Sequence, residues 1–306
     1  MLVSVIIPTY KRSTRLPIAI DSVLMQTYKF IEIIVVDDNG DNNFREETKK
    51  VLKPYLDNKE IKYICHDSNL GGCAARNTGA FAAEGDYIAF LDDDDFYETT
   101  KLEKQIKFIE TNTQFHACMC DMFRIDENNK SIISRENTAR GTTLKETILD
   151  GNLFTSMLLI KKEVFVALDG FSEILRFQDK YFHYKFLEQG YKVGVLNKQL
   201  LTLVEHNEER ISLSSNNKIL QALNILHAFE TEHKSIFSNT EWRFIKQRLF
   251  YNKAYTLSTG TLKNKMKCLV YILRALPFYN RKYNLIKLTF KCFLPNSILK
   301  YKTKSV

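Results

Sequence analysis

The sequence predicts an α/β fold with a mostly parallel sheet, and three observations predict it. Apolar runs alternate with helical patterns through the first ninety residues, those runs end in turn or acidic residues, and no repeat or low-complexity segment interrupts them. Residues 2–7 are the first run, β-branched and closed by Pro8. Leu16, Ile20, Val23 and Leu24 recur at helical spacing, and residues 31–36 form a second β-branched run, completing a β-α-β unit. Residues 61–65 read as a third strand and 73–83 as a helix of small residues able to approach a sheet closely. Residues 87–91 complete the series. Crossovers of this kind cover both faces of a parallel sheet.

Beyond residue 100 the alternation loosens. Residues 102–109 read as a helix, and 116–125 and 131–134 as strands around an Asn128-Asn129 turn. Thr143 and Glu146 have capping-box spacing for a short helix. Residues 156–160 read as a strand, and 177–189 as an aromatic-rich helix ended by Gly190. Residues 193–196 and 201–206 are expected to be two short final strands, and after about residue 215 the pattern turns helical, then basic. Residues 1–100 and 101–215 are expected to be two halves of one domain, followed by an extension over 216–306.

Only 11 Gly and 5 Pro in 306 residues argue against long disordered stretches. The six Cys lack paired CxxC spacing, so reduced thiols in a cytosol are expected, and residues 2–7 run into Pro8 without the pattern of a signal peptide. Charge is distributed unevenly. Fifteen of the 44 Lys and Arg, and none of the 36 Asp and Glu, follow Glu241. That tail carries +15, while the first 241 residues hold 29 basic and 36 acidic side chains, a net −7. Apolar clusters at 268–273 and 285–290 lie among the tail's cations, and Arg274, Pro277 and Lys287 keep them short of a membrane span. A basic, partly amphipathic tail is expected to meet an anionic membrane surface; nucleic-acid binding and a solvated helical face are the rival readings.

The chemistry converges on strand ends. Asp92-Asp93-Asp94-Asp95 directly follow the run 87–91. Two carboxylates about 4 Å apart repel by roughly 4 kcal/mol at an effective dielectric near 20. A hard cation such as Mg²⁺ or Mn²⁺ relieves that repulsion, and one held by one or two carboxylates with phosphate oxygens suggests nucleotide-diphosphate chemistry. Tyr10 can supply a stacking face for a base, Asp37 or Asp38 an acceptor for base or ribose, and Arg76 a fork for phosphate. Each is ordinary alone, since a Pro after a strand is punctuation and an Asp pair is usually a turn. In a parallel sheet all four clusters fall on one rim.

The sequence resembles the inverting family-2 glycosyltransferases of the GT-A fold, of bacterial surface-polysaccharide type. The matching segments are Ser4-Val5-Ile6-Ile7-Pro8-Thr9-Tyr10, Val35-Val36-Asp37-Asp38, Asn69-Leu70-Gly71-Gly72 with Ala75-Arg76-Asn77-Thr78-Gly79, and Gly85-Asp86-Tyr87 through Asp95. The resemblance covers the first 100 residues well and continues more weakly to about residue 210. It implies a nucleotide-sugar-binding half over 1–100 and an acceptor-binding half over 101–215. Pro8, Tyr10, Asp38 and Arg76 would hold the nucleotide, with Asp92, Asp93 and Asp94 as the DxD-type site and Asp94 the direct ligand of Mn²⁺ or Mg²⁺.

In such enzymes a general base opens a later helix, usually within a Glu-Asp pair; here the position reads Gln178-Asp179. Asp179 would take the proton from an acceptor hydroxyl in a single, inverting displacement. Gln178 in place of Glu leaves acceptor preference open. His206, after the last strand, is a candidate ligand of metal or diphosphate, with a structural hydrogen bond as the alternative. The Gln-x-x-Arg-Trp signature of processive synthases is absent, so transfer of one sugar is expected. The donor is expected to be UDP-linked, with TDP and GDP open. The acceptor would be a glycan or lipid-linked hydroxyl, and the protein a peripheral one on the cytoplasmic face of the cell membrane. No nucleic-acid partner is expected, and the oligomeric state stays open. A nucleotidyltransferase is the nearest rival enzyme, although 8–12 lacks the Gly-rich loop that reading needs; a non-catalytic carbohydrate or nucleic-acid binder is the other.

Overall fold

The computed structural model describes residues 1–174, 176–206, 216–258, 261–275 and 289. Two compact units emerge, one of residues 1–174 with 178–206, the other of 175–177 with the residues from 207 onward.

The first unit is built on an eight-stranded sheet in the order β3-β2-β1-β4-β7-β6-β8-β5. Its strands are β1 (Val3–Thr9), β2 (Ile31–Asp37), β3 (Lys62–Cys65), β4 (Tyr87–Phe90), β5 (Phe96–Tyr97), β6 (Ala117–Asp126), β7 (Leu158–Lys161) and β8 (Val193–Glu205). From β3 to β4 every pairing is parallel; β7 is antiparallel to both neighbours, and β8 runs parallel to β6 but antiparallel to β5. The parallel half is therefore the one predicted from the alternation, and the second half is mixed.

The helices α1 (Leu16–Leu24), α3 (Gly72–Ala82) and α4 (Lys101–Thr111) fall where spacing placed them. The small-residue character of α3 serves close packing: a Cβ at Gly79 would run into Ile6 Cγ2 and Val36 Cγ2 of the sheet. The short α5 (Leu144–Asp150) carries both bonds of its capping box, Glu146 N to Thr143 Oγ1 at 3.2 Å and Thr143 N to Glu146 Oε2 at 3.3 Å. Next come α6 (Lys162–Ala167) and α7 (Gln178–Glu188), the latter followed by Gly190 at φ +79°.

Three elements differ from expectation. α2 (Asn43–Asp57) has no apolar stripe, because the face it buries consists of Arg45, Thr48 and Leu52. Residues 131–134 form no strand beyond a single bridge from Ser131 to Ile125; Ile133 is 93% exposed, so no core face holds a strand there. The two expected final strands are one, β8, whose register against β6 shifts around Asp121.

The second unit contains α8 (Asn216–Glu232), α9 (Asn239–Leu257) and α10 (Leu262–Ala275). Ala254 and Leu257 of α9 form its core with Cys268, Ile272 and Ala275 of α10. The apolar cluster 285–290 lies outside the described residues, Thr289 aside. Among the described residues no helix is long and apolar enough to cross a membrane.

Candidate active site

The carboxyl ends of β1, β2 and β4 meet along one rim, because Thr9 pairs with Asp37 and Ile6 with Phe90 in the parallel register. The four consecutive acids form a turn closed by a hydrogen bond from Asp95 N to Asp92 O at 3.1 Å, and the turn divides them by burial. Asp93 and Asp95 turn inward and are buried, while Asp92 and Asp94 stay half-buried on the rim. Asp95 accepts a hydrogen bond from Val204 N at 3.0 Å, which ties the rim to β8. Asp93 accepts from Thr9 Oγ1 at 2.8 Å and lies 3.4 Å from Arg12 Nη1. Burial, then the neighbouring Asp94 charge, push the Asp93 carboxyl up to about 7 against the pull of Arg12 and Thr9. Asp94 is raised for the same first reason, with Asp92 adding to it and Arg12 and His206 opposing.

Two arginines neutralise the outward acids. Arg12 pairs with Asp94, and Arg76, itself buried on α3, pairs with Asp92 and bonds Gly72 O at 3.2 Å. Sequence reasoning identified Arg76 but missed Arg12 and Thr9. A cation two residues after Tyr10 was the available signal for Arg12, and it gains meaning only once β1 and β4 are known to be neighbours.

Asp38 directly follows β2, and its carboxylate is saturated. Oδ1 accepts from His66 Nδ1 and Leu70 N, each at 2.8 Å, and Oδ2 from Gly71 N at 2.8 Å and Asn69 Nδ2 at 3.1 Å. Its side chain therefore shapes the loop before α3, where Gly71 has φ +91°, and little acceptor capacity remains for a nucleotide. Asp37 is also committed, to Tyr63 Oη at 2.6 Å and Asn39 N at 2.8 Å. Pro8 and Tyr10 are half-buried at the rim. The Lys11 ammonium lies 5.0 Å from the Tyr10 ring centre and 5.1 Å from that of Phe44, forming an aromatic and cationic wall beside the rim.

The start of α7 reaches this rim through α3. Cys73 Sγ donates to Gln178 Oε1 at 2.8 Å. Asn77 clamps the preceding segment, donating to Phe171 O and accepting from Phe171 N, each at 2.8 Å. Beneath, Phe90, Phe165, Phe171 and Phe182 pack with ring centres 5.0–5.5 Å apart. Asp179 Oδ1 accepts from Lys180 N at 2.7 Å. Its carboxyl is raised by burial, opposed by the Lys180 amide and the Arg76 charge, and raised again by Asp92. Asp179 thus shares the electrostatic neighbourhood of Arg76 and Asp92, although more than eighty residues separate it from either.

His206 follows β8 with its side chain 8% exposed, Nε2 3.7 Å from Asp94 Oδ2 and Nδ1 3.7 Å from Glu127 Oε1. Neither ring nitrogen makes a hydrogen bond among the described residues, and burial, then Arg15, lower its pKa. A buried imidazole with two unused nitrogens beside a rim carboxylate has the donor chemistry a divalent cation takes. Among the described residues no three His, Cys, Asp or Glu side chains converge to hold a metal by themselves. A cation here would draw further ligands from substrate oxygens, as Mg²⁺ commonly does.

A mixed sheet with acids and arginines on the carboxyl rim of its parallel half has the α/β architecture of the GT-A class. Residues 4–177 match the family described as glycosyl transferase family 2, and the chain belongs to it. An uncharacterized glycosyltransferase of Rickettsia conorii is 38% identical over 156 residues, 51% of this chain and 23% of that protein; the match thus spans about a quarter of that relative's length. An uncharacterized glycosyltransferase of Haemophilus influenzae is 30% identical over 70% of this chain and 71% of that protein. The Escherichia coli UDP-Glc:alpha-D-GlcNAc-diphosphoundecaprenol beta-1,3-glucosyltransferase WfaP is 40% identical over 38% of this chain and 44% of its own. Among solved structures, S. aureus TarS 1-349 in complex with UDP-GlcNAc superposes with a TM-score of 0.67 at 18% identity, covering 95% of this chain and 88% of that one. The mannosyltransferase PcManGT from Pyrobaculum calidifontis, in complex with GDP-Man and Mn2+, gives 0.59 at 16% identity, covering 99% and 88%. These likenesses establish the GT-A fold.

Proposed function

We propose that the protein transfers a single hexose-type sugar, with inversion, from a UDP-linked donor to a hydroxyl of a lipid-linked or glycan acceptor in surface-polysaccharide synthesis. One observation carries the reading: the start of α7, which bears Asp179, is tied by the Cys73–Gln178 hydrogen bond to α3, the helix that bears Arg76 of the Arg76–Asp92 pair. This supports Asp179 as the proton acceptor and the rim as the place of the diphosphate. Family membership and the UDP-GlcNAc and GDP-Man complexes of the two neighbours support a nucleotide-sugar donor. WfaP, by its name, acts on a diphosphoundecaprenol-linked sugar, which supports a lipid-linked acceptor and, with the basic tail, a peripheral place on the inner membrane face.

In this reading residues 1–100 hold the donor and 101–215 the acceptor. Tyr10 stacks on the base and Pro8 shapes the turn beneath it, while Asp38 fixes the loop of 69–71 that borders the nucleotide. Arg76 leaves Asp92 in part to bind diphosphate oxygen, since a planar fork suits such oxygens. Asp94, with Asp92 and His206, would hold a divalent cation, and such an ion would supply charge neutralisation for the diphosphate. Asp93 supports the rim through Thr9 and Arg12. Asp179 accepts the proton of the acceptor hydroxyl as that oxygen attacks the anomeric carbon and the diphosphate leaves from the opposite face. A single displacement needs no second carboxylate as nucleophile.

The test is release of nucleoside diphosphate from a panel of nucleotide sugars, with Mn²⁺ and lipid-linked or glycan acceptors. Turnover of one donor identifies the sugar. Absence of any donor binding across the panel overturns the reading in favour of a non-catalytic protein.

A further inference from the structure

The last described helix carries a surface that the transfer reaction does not use. α10 buries Cys268, Ile272 and Ala275 against Ala254 and Leu257 of α9. On another side of the same helix, Met266, Val270 and Leu273 are 64%, 48% and 64% exposed. Spacings of four and three place them in one continuous ridge. Lys267 and Arg274 each directly follow a ridge residue, Lys263 lies four positions before Lys267, and all three are exposed. No carboxylate occurs after Glu241, so α10 carries no acid to balance them.

Single exposed apolar side chains are ordinary, but a ridge of three beside a row of cations is a patterned surface. Three occupants can be weighed by what each would use. A nucleic acid would meet the cations and leave the ridge in water. A second copy placed about a two-fold axis on the ridge would bring two like-charged rows together. An anionic lipid surface uses both features, because the ridge enters the headgroup boundary while Lys and Arg stems extend along it toward lipid phosphates.

We propose that α10 docks on an anionic membrane surface, with Met266, Val270 and Leu273 inserted and Lys263, Lys267 and Arg274 paired with lipid phosphates. The inference gives the expected membrane partner a contact face, and it rests on α10 alone, independent of the assignments at the catalytic rim.

The full chain is tested by co-sedimentation with phosphatidylglycerol-rich vesicles and with pure phosphatidylcholine vesicles. The wild type binds the anionic vesicles roughly tenfold or more tightly than the neutral ones. Val270→Asp with Leu273→Asp lowers that affinity roughly tenfold, and Lys263→Glu with Lys267→Glu does so at low salt, with a smaller gap at high salt. Met266→Gln, a milder change on the exposed ridge, weakens binding in the same direction if the Asp pair disturbs folding. Melting temperature and nucleoside-diphosphate release in the same preparations separate this result from the fate of the transferase reading. Equal binding to both vesicle types overturns the proposal, as does unchanged vesicle binding in all variants. Ridge variants that alter only the oligomeric state by light scattering overturn it in favour of a second copy. Vesicle binding that follows the cation pair alone, together with equal loss of duplex DNA binding, overturns it in favour of nucleic acid.

Discussion

The two halves of the α/β unit hold their polar side chains in opposite ways. In the parallel half, adjacent strand ends lock the acids to one another's neighbours: Asp37 to Tyr63 and Asn39, Asp38 to four donors around the loop of 69–71, and Asp93 to Thr9 and Arg12. In the mixed half, Asp179 depends on a helix start tethered to α3 by the Cys73–Gln178 bond and the Asn77–Phe171 clamp. The first arrangement comes from strand register and is built into the stability of the sheet. The second comes from a few distant contacts and governs position. Damage on the parallel side should therefore appear mainly as lost stability, and damage on the acceptor side mainly as lost turnover.

The strongest test of that division is Asp179→Asn. Removing a general base should lower kcat by roughly a thousandfold with the melting temperature nearly unchanged. Because burial raises the Asp179 carboxyl, the active, deprotonated form is reached only above the ordinary aspartate range. The acid limb of the wild-type kcat profile should accordingly lie above pH 3.8, the unperturbed aspartate value.

On the other side, Asp38→Ala should cost about 3 kcal/mol of stability in urea titration, since it leaves the amides of Leu70 and Gly71 and the His66 imidazole without their acceptor. Stability close to the wild-type value would show that the loop does not depend on this carboxylate.

Asp93 sharpens the comparison through pH. Its folded value of about 7 exceeds the ordinary 3.8, so the fold favours the protonated form. The stability it contributes is complete below about pH 4 and is lost as pH rises toward 7. Relative to wild type and in the presence of a chelator, Asp93→Asn should therefore be more stable at pH 8 than at pH 4, by about 4 kcal/mol. A difference independent of pH would contradict this.

Two smaller effects probe the tethers and counter-ions. Asn77→Ala should reduce kcat about tenfold through a displaced α7 start, while KM for the donor changes little. An equal loss in donor binding would show that the clamp supports both halves. Arg12→Gln removes the cation paired with Asp94, and Mn²⁺ should then bind the donor-free protein about fivefold more tightly by calorimetry. Weaker binding would mean that Arg12 instead orients the acids for the ion.

Legibility in the sequence followed the same division. β1, β2, β4 and α3 are short-range patterns of apolar spacing, and their end clusters identified most of the rim. α2 was not legible because the side chains it buries are chiefly polar. Residues 131–134 looked like a strand because β propensity is local, while strand formation needs a partner edge and a core face. The unity of β8 is set by its partner β6, which tolerates a bulge at Asp121. At the site, the acids and Arg76 stood out by type. Arg12, Thr9 and Asn77 matter through residues 81, 84 and 94 positions away, and local spacing does not encode such partners. Asp38 was expected to face the nucleotide; its four internal donors become visible only when the loop of 69–71 folds back over β2.

Donor affinity tests the separation of roles most directly. The identified nucleotide sugar, with Mn²⁺, would be titrated against Asp179→Asn and Asp94→Ala by calorimetry. The account predicts that Asp179→Asn binds within about twofold of wild type despite its lost turnover, whereas Asp94→Ala loses roughly a hundredfold. Equal loss of donor affinity in both variants would contradict it, because Asp179 would then belong to the donor site.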